Sequence, residues 1–319
     1  MYRKINNRRL LIIVAVLVVA LGALIVKDYF KGDRSFRKFV LTIDTAQVVS
    51  IKISAGVTNS KNIKIFNDEG KWRVSDNSHN FSADPGMIKN IVNELASLKI
   101  ETLAATAKAS WTEFEVTDSA AIKVSVQEKG KKAATTLLIG KFTYQRPENP
   151  YDRQGKLSSY VRIAGEEETY AVQGFLRMNF VPDVNNYRNK FLTRTSSDLF
   201  SKISLDYPGD SSFILVKENK KWMIDGLPVD SVMSENYFTE LEHLSGSEFA
   251  DTMKHSEQPS FTLKIEGSAL PNPIDIKAYK KEFAQGYLVT SSYNSEAIFN
   301  GSSQSLFTKI FKGKKSFLK

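Results

Sequence analysis

Two tryptophans, Trp72 and Trp222, stand 150 positions apart in the same local pattern, and this repetition constrains the fold more than any other feature of the chain. In the first half, Val48 to Ile53 alternates as a strand and Ile63-Lys64-Ile65-Phe66 makes a second. The turn Asp68-Glu69-Gly70 then leads into Lys71-Trp72-Arg73-Val74. The second half gives Ile203-Ser204-Leu205, then Phe213-Ile214-Leu215-Val216, the turn Glu218-Asn219-Lys220, and Lys221-Trp222-Met223-Ile224. Each tryptophan strand is followed by a helix. Asp84-Pro85 supplies an N-cap oxygen and a first-turn proline, and Ile88, Ile91, Val92, Leu95 and Leu98 fall on one helical face. The segment from Asp230 to Ser234 opens the other, with Phe238, Leu241 and Leu244 on one face.

Each half then returns to strands. Ile122–Val126 corresponds to Phe261–Ile265, Leu137–Ile139 to Ile274–Ile276, and Tyr160–Ile163 to Tyr287–Thr290. Tyr170-Ala171-Val172 and Ala297-Ile298-Phe299 come last, before amphipathic stretches to Phe180 and Phe311. Three strands, a helix, more strands and a second helix put hairpins on a sheet with helices against it, so the expected class is α+β and not a doubly wound parallel sheet. We expect two tandem repeats of antiparallel sheet with packed helices, at 47–192 and 193–319. The two tryptophans are expected to be core anchors, because a single sheet carrying one helix needs a large apolar side chain beneath it. A ligand-stacking role is the other reading of them.

Ahead of the repeats lies LLIIVAVLVVALGALIV, residues 10–26, without a charge. At 1.5 Å per residue these seventeen residues extend about 26 Å, enough to span a bilayer with little tilt. The run is longer than the apolar region of a signal peptide and ends in Ile25-Val26-Lys27 without a small-x-small cleavage site, so an uncleaved signal anchor is expected. The chain would then comprise a basic head (1–9), a transmembrane helix (10–30), a linker (31–46) and the two repeats.

Charge supports a membrane junction. Residues 1–38 hold nine Lys and Arg against Asp28 and Asp33, which is +7 of the net +9, and the remaining 281 residues are almost balanced. A nucleic-acid binder would spread basic residues over its folded part, so nucleic acid is not an expected partner. Lys309, Lys312, Lys314, Lys315 and Lys319 form a second small cluster, read as a solvated end, with contact to anionic lipid head groups as the other reading. The counts of Lys and Arg on the two sides of the span do not set its direction. A nine-residue head before one span and a long domain reads as a signal anchor, single-pass in the inner membrane with the bulk of the chain outside the cytoplasm; a cytoplasm-facing domain is the other reading. The chain has no cysteine, which rules out disulfides but does not choose a compartment.

The runs GKWRV, ADPGMIKNIVNELASLKIETL, WTEFEVTD, LLIGK, YVRI and YAV are similar to a bacterial family called domain of unknown function 4340, in which a membrane anchor precedes repeats of this kind. The later Asn186–Leu192 segment, NYRNKFL, resembles the family's Phe-Arg-Asp-Lys/Arg segment, with Tyr187 in place of Phe and Asn189 in place of Asp. Any salt bridge made by that Asp is absent here. The resemblance implies an accessory subunit of an ABC-type transport system, related to gliding-motility systems, that works outside the inner membrane. It implies no catalytic residue.

The residues themselves carry no catalytic motif. His79, His243 and His255 have no metal-ligand spacing, so neither a metal nor a cofactor is expected. Gly301-Ser302-Ser303-Gln304-Ser305 lacks the second glycine of a nucleophile elbow and is read as a helix cap, and no phosphate-binding loop occurs. Glu113 and Glu115 are read as a solvated edge, although a glycosidase pair leaves no local signature. The two copies differ in one informative place. Ile139 to Tyr160 spans ten more positions than Ile276 to Tyr287, and the extra stretch contains Tyr144, Arg146, Tyr151 and Arg153, residue types enriched at protein interfaces. These four are the candidate partner-binding residues, and a plain flexible hairpin loop is the other reading of the stretch. The expected function is a non-catalytic scaffold, bound to the inner membrane through residues 10–26 and to membrane transport proteins. A cell-envelope glycan-binding protein or hydrolase is the alternative.

Overall fold

The computed structural model describes residues 37–56, 62–146 and 155–318. The expected anchor at 10–26 lies outside them, and no helix among the described residues is long and apolar enough to cross a membrane. The described chain is mostly antiparallel strand with few helices, a loose form of the α+β class. The first sheet contains β1 (Val48–Ala55), β2 (Asn62–Asp68), β3 (Lys71–Ser75), β4 (Asn80–Ser82), β5 (Ile100–Ala105), β6 (Ile122–Glu128), β7 (Thr135–Gln145), β8 (Lys156–Ile163) and β9 (Thr169–Gln173). Their hydrogen-bonded order is β4-β3-β2-β1-β6-β7-β8-β9-β5.

The second sheet contains β10 (Lys202–Asp206), β11 (Phe213–Glu218), β12 (Lys221–Ile224), β13 (Leu227–Pro228), β14 (Phe261–Glu266), β15 (Ile274–Lys280), β16 (Tyr287–Ser291) and β17 (Asn294–Asn300). Its order is β13-β12-β11-β10-β14-β15-β16-β17. Apart from β5, the two orders run the same way strand for strand. By compactness the chain forms two units, one of Met1–Asn62 with Lys89–Pro182 and one of Ile63–Ile88 with Asp183–Lys319.

The tryptophan hairpins share their register. Asp68 pairs with Lys71, Asn67 with Trp72 and Ile65 with Val74. In the second sheet Glu218 pairs with Lys221, Lys217 with Trp222 and Leu215 with Ile224, each pair displaced by the same 150 positions. Both turns use two residues at positive φ, Glu69 and Gly70 in one and Asn219 and Lys220 in the other, which is the twist that a two-residue hairpin requires. Helix α1 (Pro85–Ser97) opens as its sequence indicates, with the Gly86 amide donating to Asp84 Oδ1 at 2.9 Å. The corresponding helix of the second unit, α3 (Ser231–Glu242), is capped by Asp230, which accepts from the Met233 amide at 3.0 Å.

Alternation buries one face of each sheet. In the first unit Ile53 faces Val124 and Val124 faces Leu137, while Ile139 faces Val161, and all five are fully buried. In the second, Ile203 pairs with Leu215 and Ile265, and these pack in one cluster with Tyr237, Phe238 and Leu241 from α3. Trp222 lies at the edge of that cluster, half-buried, with its ring centroid 4.5 Å from that of Phe238.

Three local expectations change. Strand β5 has no counterpart in the sequence reading; it pairs with β9 through two bulges, and in the second unit its place is taken by a single bridge between Phe249 and Phe299. Of the C-terminal lysines, Lys309 and Lys315 are exposed as read, but Lys312 and Lys314 are held against the fold. Phe317 is fully buried, Lys312 pairs with Glu240 at 2.6 Å and Lys314 pairs with Asp225, because aromatic side chains at 307, 311 and 317 carry the tail into the core. Ser305 is no helix cap either. It precedes α4 (Leu306–Ile310) in the left-handed region and makes no capping bond, and the Phe307 amide donates instead to the Gly301 carbonyl at 2.9 Å.

Candidate partner-binding site

The sequence places Tyr144 and Arg146 in an inserted loop, but the structure puts Tyr144 in the long strand β7, with Arg146 directly after it and exposed. Tyr151 and Arg153 lie outside the described residues. The strand continues because of a bulge. Ile139 pairs with Val161 but Phe142 with Ser159, so one extra residue at Gly140–Lys141 shifts the alternation and sets Phe142 and Tyr144 on the face that Ile139 occupies. Gly140 is required there. A Cβ at that position would come within 2.1 Å of the Phe114 carbonyl oxygen, which accepts the Lys141 amide at 3.0 Å.

Past the bulge the strand leaves the core, and its apolar side chains meet solvent. Phe142 is 46% exposed and Tyr144 57%. The Phe142 ring lies 4.2 Å from that of Phe175, next to the short helix α2 (Leu176–Asn179), whose Met178 is 66% exposed. The Tyr144 ring covers Gly155, where a Cβ would approach within 2.3 Å of it. Phe142 and Tyr144 on the β7–β8 ladder, with Phe175 and Met178 at the start of α2 and within it, thus present aromatic and thioether groups to solvent. Surface of this composition suits a protein partner.

The opposite face of the same sheet is covered by residues 108–121. Arg162 is buried with its guanidinium carbon 3.6 Å from the Trp111 ring centroid. Its Nε donates to the Val116 carbonyl at 3.1 Å and its Nη1 to the Glu166 carbonyl at 3.2 Å. Burial pulls this guanidinium below its ordinary pKa, opposed by the Asp118 carboxylate. Glu115, read from sequence as a solvated carboxylate, pairs with Arg177 at 2.9 Å. Sequence reasoning missed Phe142, Phe175, Arg162 and Trp111. The spacing of Phe142 and Tyr144 was a usable signal, since two aromatics at i and i+2 before a Pro-rich loop define one strand face.

In the second unit, Arg188 of the Asn186–Leu192 segment is sandwiched. Its guanidinium carbon lies 3.7 Å from the ring centroids of both Phe81 and Phe249, and Nη1 reaches Asp251 at 2.6 Å. The chain therefore has an acidic partner for this arginine, although Asn189 replaces the acid that the resemblance expects beside it.

The profile of a family described as a domain of unknown function (DUF4340) matches residues 72–264, more than half of the chain. The chain belongs to this family. No curated protein and no solved structure matches it. The DUF4340 match runs from Trp72 to Lys264, so it takes in the β7–β8 hairpin, the Arg162 cluster and the Arg188 sandwich. Among the described residues, no group of three His, Asp or Glu side chains is placed to hold a metal ion. A depression of 420 Å³ in the second unit is lined by Thr195, Leu270, Pro271, Pro273, Ser292 and Tyr293, with no carboxylate, histidine or amine on its wall.

Proposed function

We propose that this chain is a membrane-anchored accessory subunit of an ABC-type transport complex, held in the inner membrane by residues 10–26. The bulk of the chain lies outside the cytoplasm and acts by binding a partner protein rather than by catalysis. Residues 47–192 and 193–319 are read as two copies of one fold, of which the first has gained the binding hairpin. The observation that carries the binding role is the exposed Phe142–Tyr144 ladder, stiffened by its bulge and by Phe175, beside the basic Arg146. The transport setting comes from what the family resemblance implies, and the anchor from the uncharged run behind a basic head.

Two experiments test the proposal. The Phe142→Ala, Tyr144→Ala, Arg146→Ala triple variant should lose co-purification with transport components from cross-linked envelopes and keep its melting temperature within a few degrees. Capture of transport components at the wild-type level removes the hairpin from the proposal. Absence of any transport component from the wild-type catch removes the accessory role and favours the glycan-binding or hydrolase reading. For topology, a phosphatase that is active only outside the cytoplasm, fused after Lys319, should be active while the chain resists alkaline extraction. A well-expressed but silent fusion would place the sheets inside.

A further inference from the structure

The β15–β16 hairpin of the second sheet occupies the place that the β7–β8 hairpin holds in the first, and its connection carries an exposed aromatic. Phe283, in the connection between the two strands, is 86% exposed, further out of the fold than any other large apolar side chain among the described residues. A neighbouring segment extends this tip. His255 bridges Lys281, the Ser256 amide donates to the Lys280 carbonyl at 2.9 Å, and the Glu282 amide donates to the Lys254 carbonyl at 3.2 Å. Met253, itself 44% exposed, directly precedes Lys254 on that neighbouring segment. The base of the tip is held by the His255 ring against Tyr279, with centroids 4.5 Å apart.

The tip therefore joins the base at His255 and Tyr279 to two exposed apolar side chains, with Lys254, Lys280 and Lys281 around them against Glu257 and Glu282, a small net positive charge. Lys254 and Lys280 are exposed and have no carboxylate partner among the described residues, and Lys281 donates to the Asn300 amide oxygen at 2.8 Å. Phe283 and Met253 both project into solvent. We propose that the Phe283 tip is a membrane-surface contact, with Phe283 and Met253 entering the interfacial layer and the three lysines meeting anionic lipid head groups. An aromatic at head-group depth with lysines beside it satisfies both the apolar and the charged demands of that layer, and the charge excess selects an anionic leaflet. The inference rests on the reading that the chain is held at a membrane, which would keep so small a patch at high local concentration.

The natural absence of cysteine permits a clean test. The full chain with Ala284→Cys, labelled with a polarity-sensitive fluorophore, is reconstituted into phosphatidylcholine vesicles with and without phosphatidylglycerol. Anionic vesicles should shift the emission to the blue, protect the label from iodide and expose it to quenching by brominated acyl chains. The Phe283→Ser variant should lose the shift, as should Lys254→Glu with Lys280→Glu, and high salt should reverse it. A label equally open to iodide in both kinds of vesicle, or indifferent to these substitutions, overturns the proposal. Cross-linking of position 284 to a protein in intact envelopes, without the lipid signature, overturns it in favour of a protein occupant. Alkaline extraction of the same vesicles separates the two ideas, since a retained chain with a water-exposed label leaves the anchor standing and the tip refuted. If the chain is released, the anchor fails, and its sedimentation with anionic vesicles at neutral pH tests the tip alone.

Discussion

Arg188 shows how a charged side chain is made into a core residue. The planar guanidinium offers both faces to Phe81 and Phe249 and its edge to Asp251, so the charge is removed from water but stays partnered. Removing one partner of such a buried pair leaves the other uncompensated. Arg188→Ala should cost about 3–5 kcal/mol in denaturant unfolding, and Arg188→Lys should recover little, because an ammonium cannot stack between two rings. Near-complete rescue by lysine would show that charge alone matters at this position. A second residue-scale prediction concerns pH. The Ser197 hydroxyl and amide donate to Glu242 Oε1 at 2.6 and 2.7 Å, holding this carboxylate below its ordinary pKa. A depressed folded-state pKa means that the bonds add stability above the ordinary glutamate range and lose it as pH falls through the folded value. Glu242→Gln should therefore lower stability at pH 7 and flatten the acid limb of a stability profile. An unchanged limb would assign the acid sensitivity to other carboxylates.

At the scale of elements, the hairpin carrying Trp222 and the C-terminal segment enclose one aromatic cluster. Trp222→Ala removes the ring against Phe238, and as the tryptophan is half-buried the cost should sit near the lower end of large aromatic deletions, about 3 kcal/mol. Equilibrium unfolding would reveal a solvated platform instead if the loss were below about 1 kcal/mol. The tail works from the other side. The buried Tyr237 hydroxyl donates to the Ile310 carbonyl at 2.6 Å, the Tyr207 hydroxyl to the Lys312 carbonyl at 2.7 Å, and the Asp230 amide to the Phe317 carbonyl at 2.8 Å. Burial pushes the Tyr237 phenol well above its ordinary pKa, so it stays a neutral donor. Ending the chain after Ser305 would orphan both phenols and expose the rings at 207, 213 and 261. Limited proteolysis should then cut rapidly within 202–300, and resistance equal to the intact chain would show the tail to be dispensable.

For the whole molecule, the grouping of Ile63–Ile88 with Asp183–Lys319 has direct causes. Arg73 pairs with Glu296 at 2.7 Å, the Ser82 amide donates to the same carboxylate at 2.8 Å, and the Asp84 amide donates to the Tyr187 carbonyl at 3.0 Å. The β2–β4 segment should therefore exchange its amides with the same opening free energy as β10–β17. Hydrogen exchange that instead grouped 63–88 with β6–β9 would refute this. A fragment of residues 193–319 alone lacks these partners, so it should melt below the temperature of the second unit in the intact chain.

The sequence by itself determined what depends on near neighbours. The paired tryptophan hairpins, the Asp84 and Asp230 helix starts and the alternating strands could be read locally, because the strand period of 2, the helical period of 3.6 and a capping oxygen act over a few residues. The uncharged run at 10–26 was likewise visible as composition. Only tertiary structure decided the rest. Nothing around residues 100–105 says that they pair with β9, since two bulges blur their alternation and the partner lies some seventy residues away. Arg162 and Arg188 look like ordinary surface arginines until Trp111, Phe81, Phe249 and Asp251 are brought to them. Tyr144 was legible as an interface residue type, but nothing local says that Phe142 and Phe283 are exposed too. They are exposed because a bulge or a hairpin end carries them past the layer that could cover them, and coverage depends on what packs above a strand, which no local pattern encodes.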